Sequence, residues 1–116
     1  MRTDRERLGD AIEAIDRCLS QAERGRETFE ADPLVQVWMV HHLEILGEAC
    51  RSITAHVRAA HPDLPWAAIV GMRNVLVHDY FGIDLAEVWS TVERDLPPLR
   101  ARLEAVVASV HGPPSK

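Results

Sequence analysis

The middle of the sequence contains the segment that decides the fold. Residues 32–53 read DPLVQVWMVHHLEILGEACRSI. Asp32 followed by Pro33 is the pair expected at a helix start, an N-cap residue and then proline in the first turn. Apolar residues recur after it at helical spacing, which predicts one long helix from Pro33 to about Ala60. Because this apolar stripe is wide, we expect the helix to be central and contacted on more than one side.

Gly47 lies in the middle of this predicted helix. A glycine inside a helix costs about 1 kcal/mol relative to alanine. A glycine at such a position indicates that another helix approaches closely, and we expect a helix crossing there.

The N-terminal segment predicts a first helix. Its apolar residues are spaced by four, three and four positions, which is a helical stripe: Leu8, Ile12, Ile15 and Leu19. Thr3 or Asp4 is the expected N-cap, and Gly25 is the expected stop. Residues 29–32 are predicted to be a connector to the second helix.

The C-terminal half predicts two further helices and a short fifth. Pro65 suits the first turn of a third helix, which we expect to end at Gly82, and Asp84 is the expected cap of a fourth. Pro97 and Pro98 are expected to interrupt that fourth helix, with a last short helix after them.

These elements define the predicted fold class. No segment alternates polar and apolar residues as a strand does. We therefore expect an all-α protein, an up-and-down bundle of four long helices plus a short fifth. The length of 116 residues suits one domain, predicted to span residues 1–111, with a frayed tail at 112–116.

The composition of the chain excludes several classes of function. A formal net charge of −5 argues against a general nucleic-acid coat protein, although an enzyme that meets RNA in one small basic pocket remains compatible. Cys18 and Cys50 form no CxxC pattern, and the His41-His42 pair has no further ligands at helical spacing. We therefore predict neither a metal site nor a cofactor.

The sequence also predicts a cytoplasmic protein. Residues 1–10 are charged and have no apolar core, so they do not resemble a signal peptide. No apolar run approaches the roughly 20 residues that span a bilayer, and no membrane association is expected.

Residues 71–80, GMRNVLVHDY, contain the side chains suited to RNA cleavage. Histidine transfers protons near neutral pH, and arginine stays charged and matches phosphate geometry. Such chemistry needs no metal, because the 2′-hydroxyl of RNA is the nucleophile. Arg73 and His78 are thus the candidate catalytic residues, with His78 as base or acid.

The spacing of these two residues poses a geometric problem. Residues five apart lie about 140° apart around a helix axis, so Arg73 and His78 do not share one face. Either the helix ends near His78, or two chains meet about a two-fold axis and together form one positive cleft. Arg73 also needs an acidic partner, for which Glu44 and Glu48 on the second helix are the candidates.

The pattern Arg73-x₄-His78-x-Tyr80 resembles the RX4HXY motif of HEPN ribonucleases, and its surroundings are similar to the HepT toxin family. The supporting segments run from Arg5 to Leu103: LGEA at 46–49, LPW at 64–66, GMRN at 71–74, Asp84, Val88-Trp89 and Leu96-Pro97. As an ordered set these segments are specific, whereas RX4H spacing alone is weak.

The resemblance implies a function and roles for individual residues. It implies a HEPN-like fold and the toxin of a type VII-like toxin–antitoxin pair, a metal-independent RNA endonuclease. Arg73 and His78 would be catalytic, with Asn74 and Glu48 supporting the site. Tyr80 would receive AMP from a cognate MntA-like minimal nucleotidyltransferase, which silences the toxin. Family members are homodimers with the cleft at the dimer interface.

Two alternatives remain open from the residues themselves. The domain is either an enzyme or a non-enzymatic helical module that binds a nucleotidyltransferase partner or a nucleotide, and the net charge of −5 slightly favours the module. A bundle with no site at all is a third and weaker interpretation. Asp79, beside His78, either raises the pKa of that histidine or repels phosphate.

Overall fold

The computed structural model describes residues 2–78 and 82–110, apart from the side chains of Val75, Val77 and His78. The helices in this part of the chain are α1 (Asp4–Ala22), α2 (Arg26–Ala31), α3 (Pro33–Arg51), α4 (Ala55–Ala60), α5 (Trp66–His78), α6 (Leu85–Ser90) and α7 (Leu96–Ser109). A π-helical segment, Thr91–Asp95, joins α6 to α7. No strand occurs among the described residues, and the predicted all-α class is confirmed.

Helix α1 runs antiparallel to α3 and to α7. The C-terminal half of α1 meets the start of α3, where the Cys18 thiol lies 3.7 Å from the carbonyl oxygen of Met39. The N-terminal end of α1 meets the end of α3, where Arg7 donates to the Ser52 carbonyl at 2.7 Å. An ion pair between Arg100 and Asp16 ties α7 to α1. The core lies between these helices, and its fully buried side chains include Leu8, Ile15, Met39, Leu43, Leu46, Val92, Leu96 and Leu103.

The predicted ends of α1 and the start of α3 are confirmed. Thr3 and Glu6 form a reciprocal capping box, in which the Thr3 hydroxyl accepts from the Glu6 backbone and the Glu6 carboxylate accepts from the Thr3 backbone. Gly25, with φ of 93°, occupies a backbone region that favours glycine at the turn after α1. The Asp32 side chain accepts a hydrogen bond from the backbone of Leu34 and so caps α3.

The prediction of a connector at residues 29–32 is wrong, because Arg26–Ala31 is a helix. A six-residue helix is too short to be stable from local propensity alone. Phe29 supplies the missing stabilisation, since it is 1% exposed and its ring centroid lies 5.4 Å from that of Trp89. Burial of this one aromatic side chain fixes α2 against α6.

The predicted continuous helix from Pro33 to Ala60 is also wrong, since α3 ends at Arg51 and α4 begins at Ala55. The break is held by Asp4 at the start of α1. Its carboxylate accepts from the backbone N–H of Thr54 at 3.0 Å and from the Thr54 hydroxyl at 2.6 Å. This backbone N–H would bond to the carbonyl four residues earlier if the helix continued.

The prediction that Pro97 and Pro98 interrupt the last helix is wrong as well. Helical backbone runs without a break from α6 through the π-helical segment into α7. A proline inside an α-helix clashes with the carbonyl four residues earlier. Here the backbone N–H of Leu96 bonds to the carbonyl of Thr91, five residues earlier, so the turn before the prolines is wider. Both prolines therefore fit into the first turn of α7.

None of the helices in the described ranges combines the length and the apolar character needed to cross a membrane.

Candidate functional site

The site begins where α5 crosses α3 at Gly47. A Cβ atom added to Gly47 would lie 2.8 Å from Cγ of Arg73 and 3.3 Å from the Ile69 carbonyl oxygen, and still closer to Cβ of Arg73. No other residue type has room at this crossing without displacing a helix. The predicted close approach is therefore confirmed, and it places the base of the Arg73 side chain directly on α3.

Arg73 is oriented by two polar groups. Its Nη2 atom lies 3.2 Å from Oε1 of Glu48, and its Nη1 atom donates to Oδ1 of Asn74 at 3.3 Å. The Arg73 side chain is 25% exposed, so its guanidinium is partly shielded and still reachable from solvent. The expected acidic partner on α3 is thus confirmed, and of the two candidates Glu48 makes the contact.

A second arginine, Arg51, shares the same carboxylate. Its Nη1 atom lies 3.6 Å from Oε1 of Glu48, one turn earlier on α3. Two guanidinium groups around one carboxylate give this cluster a formal charge of +1 on a chain of net charge −5. Sequence reasoning missed Arg51, although its spacing of three residues from Glu48 on a helix predicts contact.

The described part of α5 extends to His78, and which of the two geometric alternatives holds stays a prediction. Its backbone position is four residues after Asn74, so these two residues share a face of the helix. The His78 side chain, Asp79 and Tyr80 lie outside the described residues. The structure therefore brings Glu48, Asn74 and Arg73 together, and the placement of the His78 and Tyr80 side chains stays a prediction.

The adjacent histidines of α3 occupy different environments. His41 is exposed, whereas His42 is 6% exposed, and its Nδ1–H donates to the Trp38 carbonyl at 2.8 Å. Burial lowers the pKa of His42, the hydrogen bond to Trp38 opposing this shift. No cluster of three or more potential metal ligands was found in the described ranges.

The two cysteines are buried among apolar side chains and are not bonded to each other. Burial raises the pKa of both Cys18 and Cys50 to about 12. A thiol with such a pKa is protonated at neutral pH and is a poor nucleophile. Both residues serve as small apolar packing groups, and neither contributes to the site.

Comparison with known proteins shows to which family the chain belongs. Residues 8–106 match the sequence model of a family described as Ribonuclease HepT-like. The chain belongs to the HepT-like ribonuclease family. The matched region includes Gly47, Glu48, Arg73 and Asn74, so the whole described cluster lies within the part that is characteristic of the family. The HEPN-type resemblance of the sequence is thereby confirmed.

Individual relatives of this HepT-like chain come from archaea and bacteria. The protein named Probable ribonuclease HepT of Thermococcus cleftensis is 36% identical over 99 residues, which is 85% of this chain and 88% of that protein. Putative RNase MJ1380 of Methanocaldococcus jannaschii is 38% identical over 78 residues, 67% of this chain and 72% of that protein. Putative RNase TTE0752 of Caldanaerobacter subterraneus is 35% identical over 81 residues, which is 70% of this chain and 72% of that protein. No solved structure gives a significant match.

Proposed function

We propose that this member of the HepT-like ribonuclease family is a metal-independent RNA endonuclease and the toxin of a type VII-like toxin–antitoxin pair. The observation that carries the proposal is the Arg73 guanidinium, held at the α3–α5 crossing by Glu48 and Asn74. The names of the relatives, which are those of ribonucleases, support the same activity.

Arg73 suits the task of binding a scissile phosphate. The hydrogen bond to Asn74 uses one of the five guanidinium N–H donors, and Glu48 forms an ion pair beside Nη2, which leaves other donors for phosphate oxygens. An arginine fixed before substrate arrives does not need to reorganise as negative charge builds in the transition state. Such electrostatic preorganisation is commonly the largest single contribution to catalysis.

His78 is the proposed proton-transfer residue. A base removes the proton from the 2′-hydroxyl, the 2′-oxygen attacks the phosphorus, and the bond to the 5′-oxygen breaks as that oxygen gains a proton. The products are a 2′,3′-cyclic phosphate and a 5′-hydroxyl end. His78 acts in one of the two proton transfers, which typically contributes about 10²- to 10⁴-fold.

A homodimer is proposed because α3 presents an unpartnered apolar stripe beside the cluster. The stripe consists of three side chains on one face of the helix, Leu34, Val37 and Ile45, which are 80%, 49% and 36% exposed. Glu48 lies on the same face of α3. Exposed apolar side chains grouped in this way are typical of protein interfaces. A two-fold dimer across the stripe would gather two Arg73 residues and two His78 residues in one composite cleft.

Replacing Leu34 and Val37 with glutamate tests this dimer. We expect the double variant to be monomeric in light scattering coupled to gel filtration, and to lose RNA cleavage, because charge cannot be buried at an apolar interface. Leu85→Glu, at an exposed apolar position on α6, is the control and should remain dimeric. A monomeric wild type, or a double variant that is still dimeric, would contradict the proposal.

Regulation is proposed to act through AMP attached to Tyr80 by a minimal nucleotidyltransferase antitoxin. Tyr80 follows His78 by two residues, so an attached phosphodiester would bring a bulky anion to the site and compete with RNA for Arg73. We expect Tyr80→Phe to cleave RNA and to resist silencing by the antitoxin and ATP. Mass spectrometry should find AMP on the wild type alone. Silencing of the variant by AMP transfer to another residue would refute this mechanism.

Incubation with RNA in excess EDTA tests whether the protein is an enzyme or a non-enzymatic module. Purified protein free of AMP and antitoxin should cleave total cellular RNA under these conditions. Intact RNA, from protein shown to be folded and dimeric, would favour a module that binds phosphate without cleaving it. Cleavage that requires added magnesium would overturn metal independence alone.

A further inference from the structure

A deep groove separates α5 from the helical run formed by α6, the π-helical segment and α7. Its volume is about 760 Å³, within the range of ligand-binding clefts. The floor is apolar and includes Leu46, Ile69, Met72, Leu76, Val88 and Leu99. On α5, Met72 lies about 100° and Leu76 about 60° around the helix axis from Arg73. The groove therefore lies next to the Arg73 cluster, although Glu48, Arg73 and Asn74 do not line it.

The rim of the groove is acidic. Asp84, Glu87 and Asp95 line it and are exposed, and none of them forms an ion pair with any described residue. Asp84 accepts hydrogen bonds from the start of α6, which leaves Glu87 and Asp95 without side-chain partners in the described ranges. One cation, Arg102, also lines the groove, and it donates to the carbonyl of Asp63 at 3.3 Å.

We propose that this groove, whose lining includes none of Glu48, Arg73 and Asn74, docks a helix of a partner protein that presents apolar side chains flanked by lysine or arginine. An amphipathic helix laid in a groove buries apolar side chains spaced three and four residues apart, and the apolar floor of this groove suits such side chains. The carboxylates on the rim select positive flanks, and the chain's net charge of −5 attracts such a partner over longer distances. The same carboxylates repel RNA.

Two synthetic helical peptides test the proposal with the intact protein. Both carry the same leucine face, and the flanks are lysine in one and glutamate in the other. We expect the lysine peptide to bind about tenfold or more tightly than its glutamate twin. Raising the salt concentration should weaken its binding, since exposed charges are screened. Methyl NMR signals of Leu76, Val88 and Leu99 should shift on binding.

Removing negative charge from the rim of the groove tests whether its carboxylates select the lysine peptide. Glu87→Gln with Asp95→Asn should weaken binding of the lysine peptide several-fold. Glu23→Gln with Glu27→Gln, the same charge change just after α1 and on α2, should not. Asp84 is left intact because it caps α6. Equal affinity for both peptides overturns the charge selection. Binding of neither peptide overturns the proposal and indicates that another part of the chain or a second copy fills the groove.

Discussion

Replacing Arg73 with alanine is expected to lower the rate of RNA cleavage by about 10²- to 10³-fold, the usual cost of losing one preorganised donor to a developing charge. Glu48 and Asn74 already hold the guanidinium before substrate binds, so the substitution removes a donor that is already in place. The measurement is the single-turnover cleavage rate in EDTA, with circular dichroism to show that the variant is folded.

Arg51→Ala is the matched control for this substitution. It removes the other arginine that contacts Glu48 and changes the net charge equally. We expect it to cost less than about tenfold, because Arg51 is not proposed to bind the scissile phosphate. Arg73→Lys should recover little activity, since an ammonium cannot match the two-pronged geometry of a guanidinium. Equal losses for Arg51→Ala and Arg73→Ala would show that only local charge matters.

Replacing Gly47 with alanine is expected to destabilise the protein by about 1–3 kcal/mol, the typical cost of overpacking a tight contact. The added methyl group would meet Cβ of Arg73, an atom next to the backbone that no side-chain rotation moves away. Urea unfolding monitored by circular dichroism measures the change. Because the clash is with Cβ, adding Arg73→Ala should not restore stability.

Gly9→Ala on α1 is the control for the Gly47 substitution. A Cβ atom there meets nothing within 4 Å. Alanine is favoured over glycine in a helix interior, so this variant should gain up to about 1 kcal/mol. A Gly47→Ala protein as stable as Gly9→Ala would show that α5 does not cross α3 as closely as described.

The sequence was sufficient for features that depend on local chemistry. Thr3 and Asp32 cap helices because a short polar side chain satisfies the backbone N–H groups of the following turn. Gly47 predicted the helix crossing because a glycine inside a helix is unfavourable unless a neighbour needs the space. That crossing and the charge of Arg73 together made an acidic partner on α3 predictable.

Features that depend on distant residues were not predictable from the sequence. The end of α3 is set by the Asp4 carboxylate, 50 residues from Thr54 in the chain. The short helix α2 depends on packing between Phe29 and Trp89. The continuity past Pro97 depends on a π-helical turn, which leaves no clear periodic signal in the sequence.

Cleavage of an RNA with a single 2′-deoxy nucleotide tests the central claim most directly. A short RNA with one mapped cleavage position is compared in excess EDTA with the same RNA carrying the deoxy sugar at the 5′ side of that position. We predict that the first yields a 2′,3′-cyclic phosphate and a 5′-hydroxyl end, and that the second is not cut there. Cleavage of the deoxy substrate at the same position would contradict attack by the 2′-hydroxyl and with it the roles proposed for Arg73 and His78.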